Sequence, residues 1–193
     1  MLTRISTYLR EISDLVLKIP PDEIGRISDL ILGAYETGRR VFVFGNGGGS
    51  ATSAHFVCDL AKGTARPGRP RLKAISLVDN MPLLTAWAND TDYRNTFGEQ
   101  LVNLVEEGDV VIGLSGSGMS PNVVNALRVA NDAGAVSVLL SGFDGGEAAS
   151  VASMSIVVPS SDMQQIEDTH LILAHIIYRC VRDHIDGRTG STG

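Results

Sequence analysis

The chain has 193 residues, of which 44% are hydrophobic, 20% are charged and 5% are aromatic, with a formal net charge of −6. This composition excludes a largely disordered chain, and an acidic chain without a block of lysines or arginines is a poor candidate for binding nucleic acid. No run of 18 apolar residues occurs, so we expect no membrane-spanning helix. Two cysteines, Cys58 and Cys180, make no disulfide framework, and with the charged N-terminal segment they predict a cytoplasmic protein.

Apolar residues at helical spacing predict two helices in the first 38 residues, separated by Pro20-Pro21. After them, short apolar runs alternate with helical stretches, which predicts a parallel sheet covered by helices on both faces. The predicted strands are residues 41–44, 72–77, 110–114, 136–140 and 155–158. The predicted helices are residues 51–62, 81–88, 93–107, 121–133, 145–151 and 163–182.

This alternation runs almost to the end of the sequence, so we expect one α/β domain over residues 1–186 and a frayed tail at 187–193. The N-terminal helix pair could pack either on the chain's own sheet or on a second subunit. The sequence favours neither arrangement.

The first of two glycine-rich loops directly follows the predicted strand 41–44 and opens a predicted helix. Its residues are Gly45, Asn46, Gly47, Gly48, Gly49 and Ser50. Glycines let backbone N–H groups approach a ligand, and a helix N-terminus carries a partial positive charge, so the loop predicts an anion site. The spacing is neither GxGxxG nor GxxxxGKS/T, which argues against a dinucleotide or a P-loop nucleotide.

The second loop follows the predicted strand 110–114 and carries three serines. Its residues are Ser115, Gly116, Ser117, Gly118, Met119 and Ser120. Ser120 before Pro121 predicts a helix N-cap, but capping alone leaves Ser115 and Ser117 unexplained. Hydroxyl groups and free backbone N–H groups at one helix start suit a phosphate monoester, which they bind with neutral donors. We therefore predict a phosphate site in spite of the acidic composition.

Two predicted helices carry histidines and acidic residues that can share a face. His55 and Asp59 are four residues apart on the helix after the first loop, and Glu167 precedes His175 on the last helix. A single histidine is more often structural than catalytic, but polar groups on helices this apolar need partners, which favours a shared acid–base site. His170 lies about 140° around the helix from His175, which places it outside such a site.

With these motifs the chain resembles the SIS (sugar isomerase) domain and, more closely, the phosphoheptose isomerases, which interconvert sedoheptulose 7-phosphate and D-glycero-D-manno-heptose 7-phosphate. The resemblance rests on GNGG at 45–48, HF at 55–56, NDTDY at 89–93, GDVVIGLSGSGMSPNV at 108–123, GFDGG at 142–146, VPS at 158–160 and IEDTH…H at 166–175. It implies a three-layer α/β fold with a mainly parallel five-stranded sheet, preceded by the N-terminal helix pair. It also implies a homotetramer with active sites between subunits.

The resemblance assigns a role to each candidate residue. Asp59 would act as the catalytic base and His175 as the catalytic acid of an isomerisation through an enediol. Some members of the family hold Zn²⁺, and the matching ligands are His55, Asp59, Glu167 and His175, which implies one Zn²⁺ per subunit here. The phosphorylated sugar would be held by Asn46, Gly47, Gly48, Ser50, Asp90, Ser115, Gly116, Ser117, Ser120 and Glu167.

Three positions depart from the family pattern. Gly49 stands where the family usually has a serine, with Ser50 one place later; Asp59 replaces a glutamate and Glu167 replaces a glutamine. The shorter side chain of Asp59 matters because a displacement of about 1 Å can cost about 10²-fold in rate. Glu167 adds negative charge among the predicted metal ligands, which predicts zinc binding at least as firm as in relatives.

Two other functions stay open at the level of the sequence. A non-catalytic SIS-domain adaptor or sugar-phosphate sensor would have the same fold, and an isomerase of a different ketose phosphate would have the same chemistry. The histidines and carboxylates on both helices favour an enzyme, because a scaffold does not need them. We expect a phosphorylated sugar as the substrate, and neither nucleic acid nor a membrane as a partner.

Overall fold

The computed structural model describes residues 1–187. Of the tail predicted at 187–193, all residues except Gly187 lie outside the described residues. Five strands occur in chain order: β1 Arg40–Gly45, β2 Lys73–Ser76, β3 Val110–Ser115, β4 Val136–Ser141 and β5 Met154–Val157. The α-helices of the described part are α1 Leu2–Val16, α2 Pro21–Thr37, α3 Gly48–Cys58, α4 Met81–Asp90, α5 Gly98–Val102, α6 Pro121–Asp132, α7 Gly146–Val151 and α8 Met163–Ile185.

The five strands form one parallel sheet in the order β2-β1-β3-β4-β5. Gly45 at the end of β1 lies beside Leu114 of β3, and Ser115 lies beside Ser141 of β4. The order of the strands reverses between β1 and β3, and in open parallel sheets ligands bind in the crevice beyond the carboxyl ends at such a switch point. The two glycine-rich loops both start there.

Helices cover both faces of the sheet, because its strands bury apolar side chains on each side. Val41 and Val43 face a core that includes residues of α1, α2, α3 and α8. Phe42 and Phe44, which alternate with them along β1, face a second core built with α5, α6 and α7. The predicted three-layer α/β fold with a five-stranded parallel sheet is confirmed.

The N-terminal helices are attached to the chain's own α8. Ile27 and Ile31 of α2 are fully buried in the first core. The hydroxyl of Tyr8 on α1 donates a hydrogen bond to Asp168 at 2.7 Å, and this bond is the main reason why the pKa of Tyr8 rises to about 12. Another side of α1 stays exposed, with Leu2, Ile5 and Leu9 at 79%, 50% and 65% of their full accessibility.

The helix predicted at 93–107 is two short pieces, a 3-10 turn at Tyr93–Asn95 and α5 at Gly98–Val102. Two carboxylates explain the difference. Asp92 accepts a hydrogen bond from the backbone N–H of Arg94 at 2.8 Å and starts the 3-10 turn. The buried Asp109 accepts from the backbone N–H of Glu106 at 2.9 Å and fixes the turn that follows the end of α5 at Val102.

The helix predicted at 51–62 begins three residues earlier, at Gly48, and ends as a π-helical turn over Asp59–Gly63. Half of the predicted glycine loop is therefore already the first turn of α3, and Gly47 is its N-cap with φ +53°. Among residues 1–187, no helix combines the length and the hydropathy that crossing a bilayer requires.

Candidate active site

The loops after β1 and β3 enclose a cavity of about 250 Å³ at the switch point of the sheet. Seven of the ten predicted substrate-binding residues line it. The lining consists of Asn46, Gly47, Gly49, Leu114, Ser115, Gly116, Ser117, Ser120, Met163, Glu167 and His170. Among residues 1–187, no lysine or arginine contributes to the lining, so an anion would meet hydroxyl groups, backbone N–H groups and one carboxylate.

The serine loop presents its hydroxyl groups to this cavity. Ser120 occupies the N-cap position of α6, as predicted, but its side chain makes no capping hydrogen bond. Its hydroxyl instead accepts from the hydroxyl of Ser115 at 3.2 Å, and Ser117 accepts from the backbone N–H of Met119 at 3.2 Å. Hydroxyl groups that hydrogen-bond to one another and do not cap the helix are available to a ligand.

The glycine loop brings the N-terminus of α3 to the other side of the cavity. The first N–H groups of a helix have no intrahelical partner and point at whatever lies beyond the end. The carboxylate of Glu167 lies directly against Gly48, because a Cβ atom at Gly48 would be 2.3 Å from Oε2 of Glu167. Only glycine leaves room for that carboxylate at the positive end of α3.

A second group of side chains lies where α3 meets α8. Nε2 of His55 and Nε2 of His175 are 3.0 Å apart, and Oδ2 of Asp59 is 3.4 Å from the former and 3.8 Å from the latter. The two histidine side chains are 51% and 45% exposed, whereas Asp59 is 27% exposed. Together His55, Asp59 and His175 form a shallow surface cluster, which we call the His–Asp–His cluster.

The spacing of the His–Asp–His cluster fits a divalent metal ion. A tetrahedral zinc ion with bonds of about 2.1 Å holds its ligand atoms about 3.4 Å apart. The three observed separations of 3.0, 3.4 and 3.8 Å bracket that value. The atoms are also of the kinds that zinc accepts, two imidazole nitrogens and one carboxylate oxygen. Within the described chain, Glu167 is not among the groups whose ligand atoms lie this close to the cluster.

His170 lines the cavity, contrary to the expectation that it lies outside any shared site. It is 2% exposed, and its Nε2–H donates a hydrogen bond to the carbonyl oxygen of Ser141 at 3.2 Å. Burial lowers the pKa of His170 to about 4, and the hydrogen bond to Ser141 opposes this shift only in part. His175, on another face of α8, belongs to the cluster instead, so α8 serves both parts of the site.

Three predicted substrate-binding residues lie outside the lining. Gly48 and Ser50 belong to the first turn of α3, where the N–H of Ser50 donates to the carbonyl oxygens of Asn46 and Gly47. Asp90 is exposed at the end of α4 and accepts a hydrogen bond from Asn89 at 2.8 Å. Their roles stay predictions.

Five residues without a predicted role are brought to the site by the fold. Leu114, Met163 and His170 line the cavity, and Asn122 and Tyr93 both hydrogen-bond to Asn46. Asn122 and Tyr93 lie inside quoted motifs, GDVVIGLSGSGMSPNV and NDTDY. Nothing in those motifs indicates that their side chains meet a residue more than 40 positions away.

Comparison with known proteins identifies the class of protein to which this chain belongs. The family model for the SIS domain matches residues 7–142, so the chain is an SIS-domain protein. The phosphoheptose isomerase of Geobacter metallireducens is 34% identical over 177 residues, 92% of this chain and 93% of that protein. That of Aquifex aeolicus is 32% identical over 192 residues, 98% of this chain and 100% of that protein.

A solved structure agrees with these relatives. The phosphoheptose isomerase from Neisseria gonorrhoeae superposes with a TM-score of 0.86 at 26% identity and covers 93% of this chain and 97% of that one. The chain belongs to the phosphoheptose isomerase family, which confirms the resemblance identified from the motifs.

Proposed function

We propose that this chain is an aldose–ketose isomerase that converts sedoheptulose 7-phosphate to D-glycero-D-manno-heptose 7-phosphate through an enediol. The observation that carries the proposal is the meeting of three side chains within 3.8 Å beside the serine-lined cavity: His55 on α3, Asp59 at the start of the π-helical turn that follows α3, and His175 on α8. An adaptor or sensor would need the cavity alone. The assembled acid–base cluster therefore favours an enzyme.

The cavity is the proposed phosphate site. Ser115, Ser117 and Ser120 provide hydroxyl groups, and the N-termini of α3 and α6 both point toward the cavity with partial positive charge. Neutral donors and helix ends together can hold a phosphate without a lysine or an arginine. This agrees with the net charge of −6 and with the cavity lining.

The distance between the two parts of the site suits a long sugar phosphate. On α8, His170 in the cavity precedes His175 by about 8 Å along the axis and Glu167 precedes it by about 12 Å, at 1.5 Å per residue. Seven extended carbons with carbon–carbon bonds of about 1.5 Å and a terminal phosphate span about 10 Å. A heptose held by its phosphate would place C1 and C2 at the His–Asp–His cluster, whereas a triose phosphate would fall short.

In the proposed reaction the carboxylate of Asp59 removes the proton from the carbon next to the carbonyl group. His175 donates a proton to the developing oxyanion, which yields the enediol. Asp59 then returns its proton to the neighbouring carbon while His175 takes the proton of the hydroxyl group on the first carbon, which completes the isomerisation and restores both residues. Because His55 and His175 both lie within 3.8 Å of Asp59, one small reacting group can touch all three. The aspartate is one methylene shorter than the family's glutamate, and its position beside both histidines supports a contact with the same reacting group.

We further propose that His55, Asp59 and His175 hold one Zn²⁺ per subunit, with Glu167 as the fourth ligand predicted from the sequence. A zinc ion there would polarise the carbonyl and hydroxyl oxygens of the sugar. For Glu167 to reach it, its carboxylate would have to leave Gly48, where it now lies.

A cytoplasmic homotetramer with sites between subunits is the assembly that we propose. The His–Asp–His cluster is half exposed in one protomer, and a second subunit over it would exclude water from the enediol. Apolar surface is available for such contacts, since Leu2, Ile5 and Leu9 form an exposed stripe on α1 and α4 has no buried residue. Leu9→Glu should lower the mass measured by light scattering. Thr3→Glu, on another side of α1, should leave the mass unchanged.

The deciding experiment is incubation of the purified protein with sedoheptulose 7-phosphate, followed by identification of the product by NMR. Pentose and hexose phosphates form the control panel. Conversion of the heptose alone supports the proposal. Conversion of another ketose phosphate alone would show the same chemistry with a different substrate, and no conversion with tight binding of sugar phosphates would favour a sensor.

A further inference from the structure

Two asparagines face each other across the switch point of the sheet. Asn46 follows β1 and lines the cavity, whereas Asn122 lies in the first turn of α6 and is 1% exposed. Nδ2 of Asn46 donates to Oδ1 of Asn122 at 2.9 Å, and Nδ2 of Asn122 donates to Oδ1 of Asn46, also at 2.9 Å. This reciprocal pair connects the two loops that form the cavity.

The direction of the pair is set by the backbone. Oδ1 of Asn122 also accepts a hydrogen bond from the backbone N–H of Val123 at 3.0 Å, and a backbone N–H can only donate. The atom of the Asn122 amide that lies beside the N–H of Val123 must therefore be the oxygen. Its Nδ2 must then face Asn46, so the oxygen of the Asn46 amide is turned toward Asn122.

The hydrogen-bonding capacity of both amides is almost used up. Nδ2 of Asn122 gives its second hydrogen to the hydroxyl of Thr96 at 3.3 Å, and Thr96 is fully buried. Oδ1 of Asn46 takes a second hydrogen bond from the hydroxyl of Tyr93 at 2.9 Å. An amide oxygen accepts two hydrogen bonds and an amide nitrogen donates two. Among the described residues, one hydrogen of Nδ2 of Asn46 is thus left without a partner.

We infer that Asn122 is a positioning residue, which holds Asn46 so that it offers the cavity an N–H donor and no acceptor. The group recognised at this point is then an oxygen with lone pairs and no hydrogen, such as a phosphoryl or a carbonyl oxygen. The inference deepens the proposed function, on which it rests for the substrate. Asn122, which is buried and does not line the cavity, would then help to select the ligand through Asn46.

The experiment replaces Asn122 by aspartate, which has the same size and keeps the acceptor for Val123. A carboxylate cannot donate to Oδ1 of Asn46, so the hydrogen bond that fixes this oxygen becomes a repulsion between two oxygens, and the amide of Asn46 should lose its fixed orientation. Loss of a hydrogen bond to a charged group predicts a fall of about 10- to 100-fold in kcat/KM. Tyr93→Phe removes a donor to the same oxygen but keeps the hydrogen bond from Asn122 that orients it. The kcat/KM of this variant should therefore fall by about threefold or less.

A double-mutant cycle separates positioning from general structural damage. In an Asn46→Ala background, Asn122→Asp should cost no further activity, because the amide that it orients is gone. Calorimetric titration with inorganic phosphate then identifies the recognised oxygen. Weaker phosphate binding by Asn122→Asp indicates a phosphoryl oxygen, and unchanged phosphate binding with a lower kcat indicates a carbonyl oxygen.

Three results would overturn the inference. The first is native-like kinetics and phosphate binding in Asn122→Asp. The second is an equal loss from Asn122→Asp with and without Asn46, and the third is a loss of activity that follows the fall in melting temperature. If the native protein does not convert sedoheptulose 7-phosphate, the proposed function fails, but phosphate titration of the same four variants still tests the inference.

Discussion

His55 and His175 are 120 positions apart in the sequence, yet their Nε2 atoms lie 3.0 Å from each other and their rings meet edge to face. Oδ2 of Asp59 lies within 3.8 Å of both nitrogens. Three titratable side chains so placed can bind a cation or pass a proton. These are the two activities that we propose for them.

Removal of the proposed acid or base should reduce turnover with little change in folding. Asp59→Asn and His175→Gln should each lower kcat by about 10²- to 10⁴-fold, the usual contribution of a general acid or base. The measurement is steady-state kinetics with sedoheptulose 7-phosphate. His184→Gln is the matched control, since His184 is 55% exposed beside Glu36 and outside the site. Full activity of Asp59→Asn or His175→Gln would refute the assignment.

Zinc should be present in protein purified without chelators. We expect about one zinc ion per chain by mass spectrometry of the metal content, because three ligand atoms are already at tetrahedral spacing. His55→Ala should lose the metal and lower the melting temperature, while His184→Ala should keep both. Glu167→Gln tests the fourth ligand, since weaker zinc binding is expected if its carboxylate coordinates. A metal-free protein whose melting and activity do not respond to added zinc would contradict this prediction.

His170 should make the protein sensitive to acid. Its folded pKa of about 4 lies below the ordinary value of 6.5, so the unfolded chain takes up a proton first as the pH falls. The stabilising contribution is present above pH 6.5 and is lost as the pH falls toward 4, by about 3 kcal/mol in total. Urea unfolding at several pH values measures it. In His170→Gln, which keeps an N–H for Ser141, the free energy of unfolding should fall less over this range; an unchanged slope would count against the buried neutral histidine.

Gly118 should be essential for folding the serine loop. Its φ is +66°, and a Cβ atom there would lie 1.9 Å from the carbonyl oxygen of Gly145, a backbone atom that cannot move aside. We expect Gly118→Ala to lower the free energy of unfolding by about 3 kcal/mol or more. Gly38→Ala provides the comparison, with a similar φ of +69° and only the flexible end of Lys73 nearby, at 3.9 Å. It should cost about 1 kcal/mol, and equal losses in the two variants would show that the close approach to Gly145 is unimportant.

Much of the fold could be predicted because the signals are local. The spacing of apolar residues predicted five strands and their order of alternation with helices. β1 is two residues longer than the predicted strand 41–44, and β4 is one residue longer than the predicted strand 136–140. The prediction was wrong at 93–107, where the helix ends at Val102 and the chain leads into the buried Asp109, whose carboxylate also accepts from the backbone N–H of the distant Arg40. A contact of that kind cannot be seen in the spacing of one segment.

The sequence by itself determined that this chain is an α/β protein with two glycine-rich loops and with histidine and carboxylate residues on two helices. Those features depend on neighbouring residues only. The tertiary structure alone decided that His170 is buried in the cavity, that Glu167 lies against Gly48, and that Asn122 orients Asn46. The reason is physical: each of these contacts depends on how separate elements pack across the sheet, and the packing geometry depends on the whole chain.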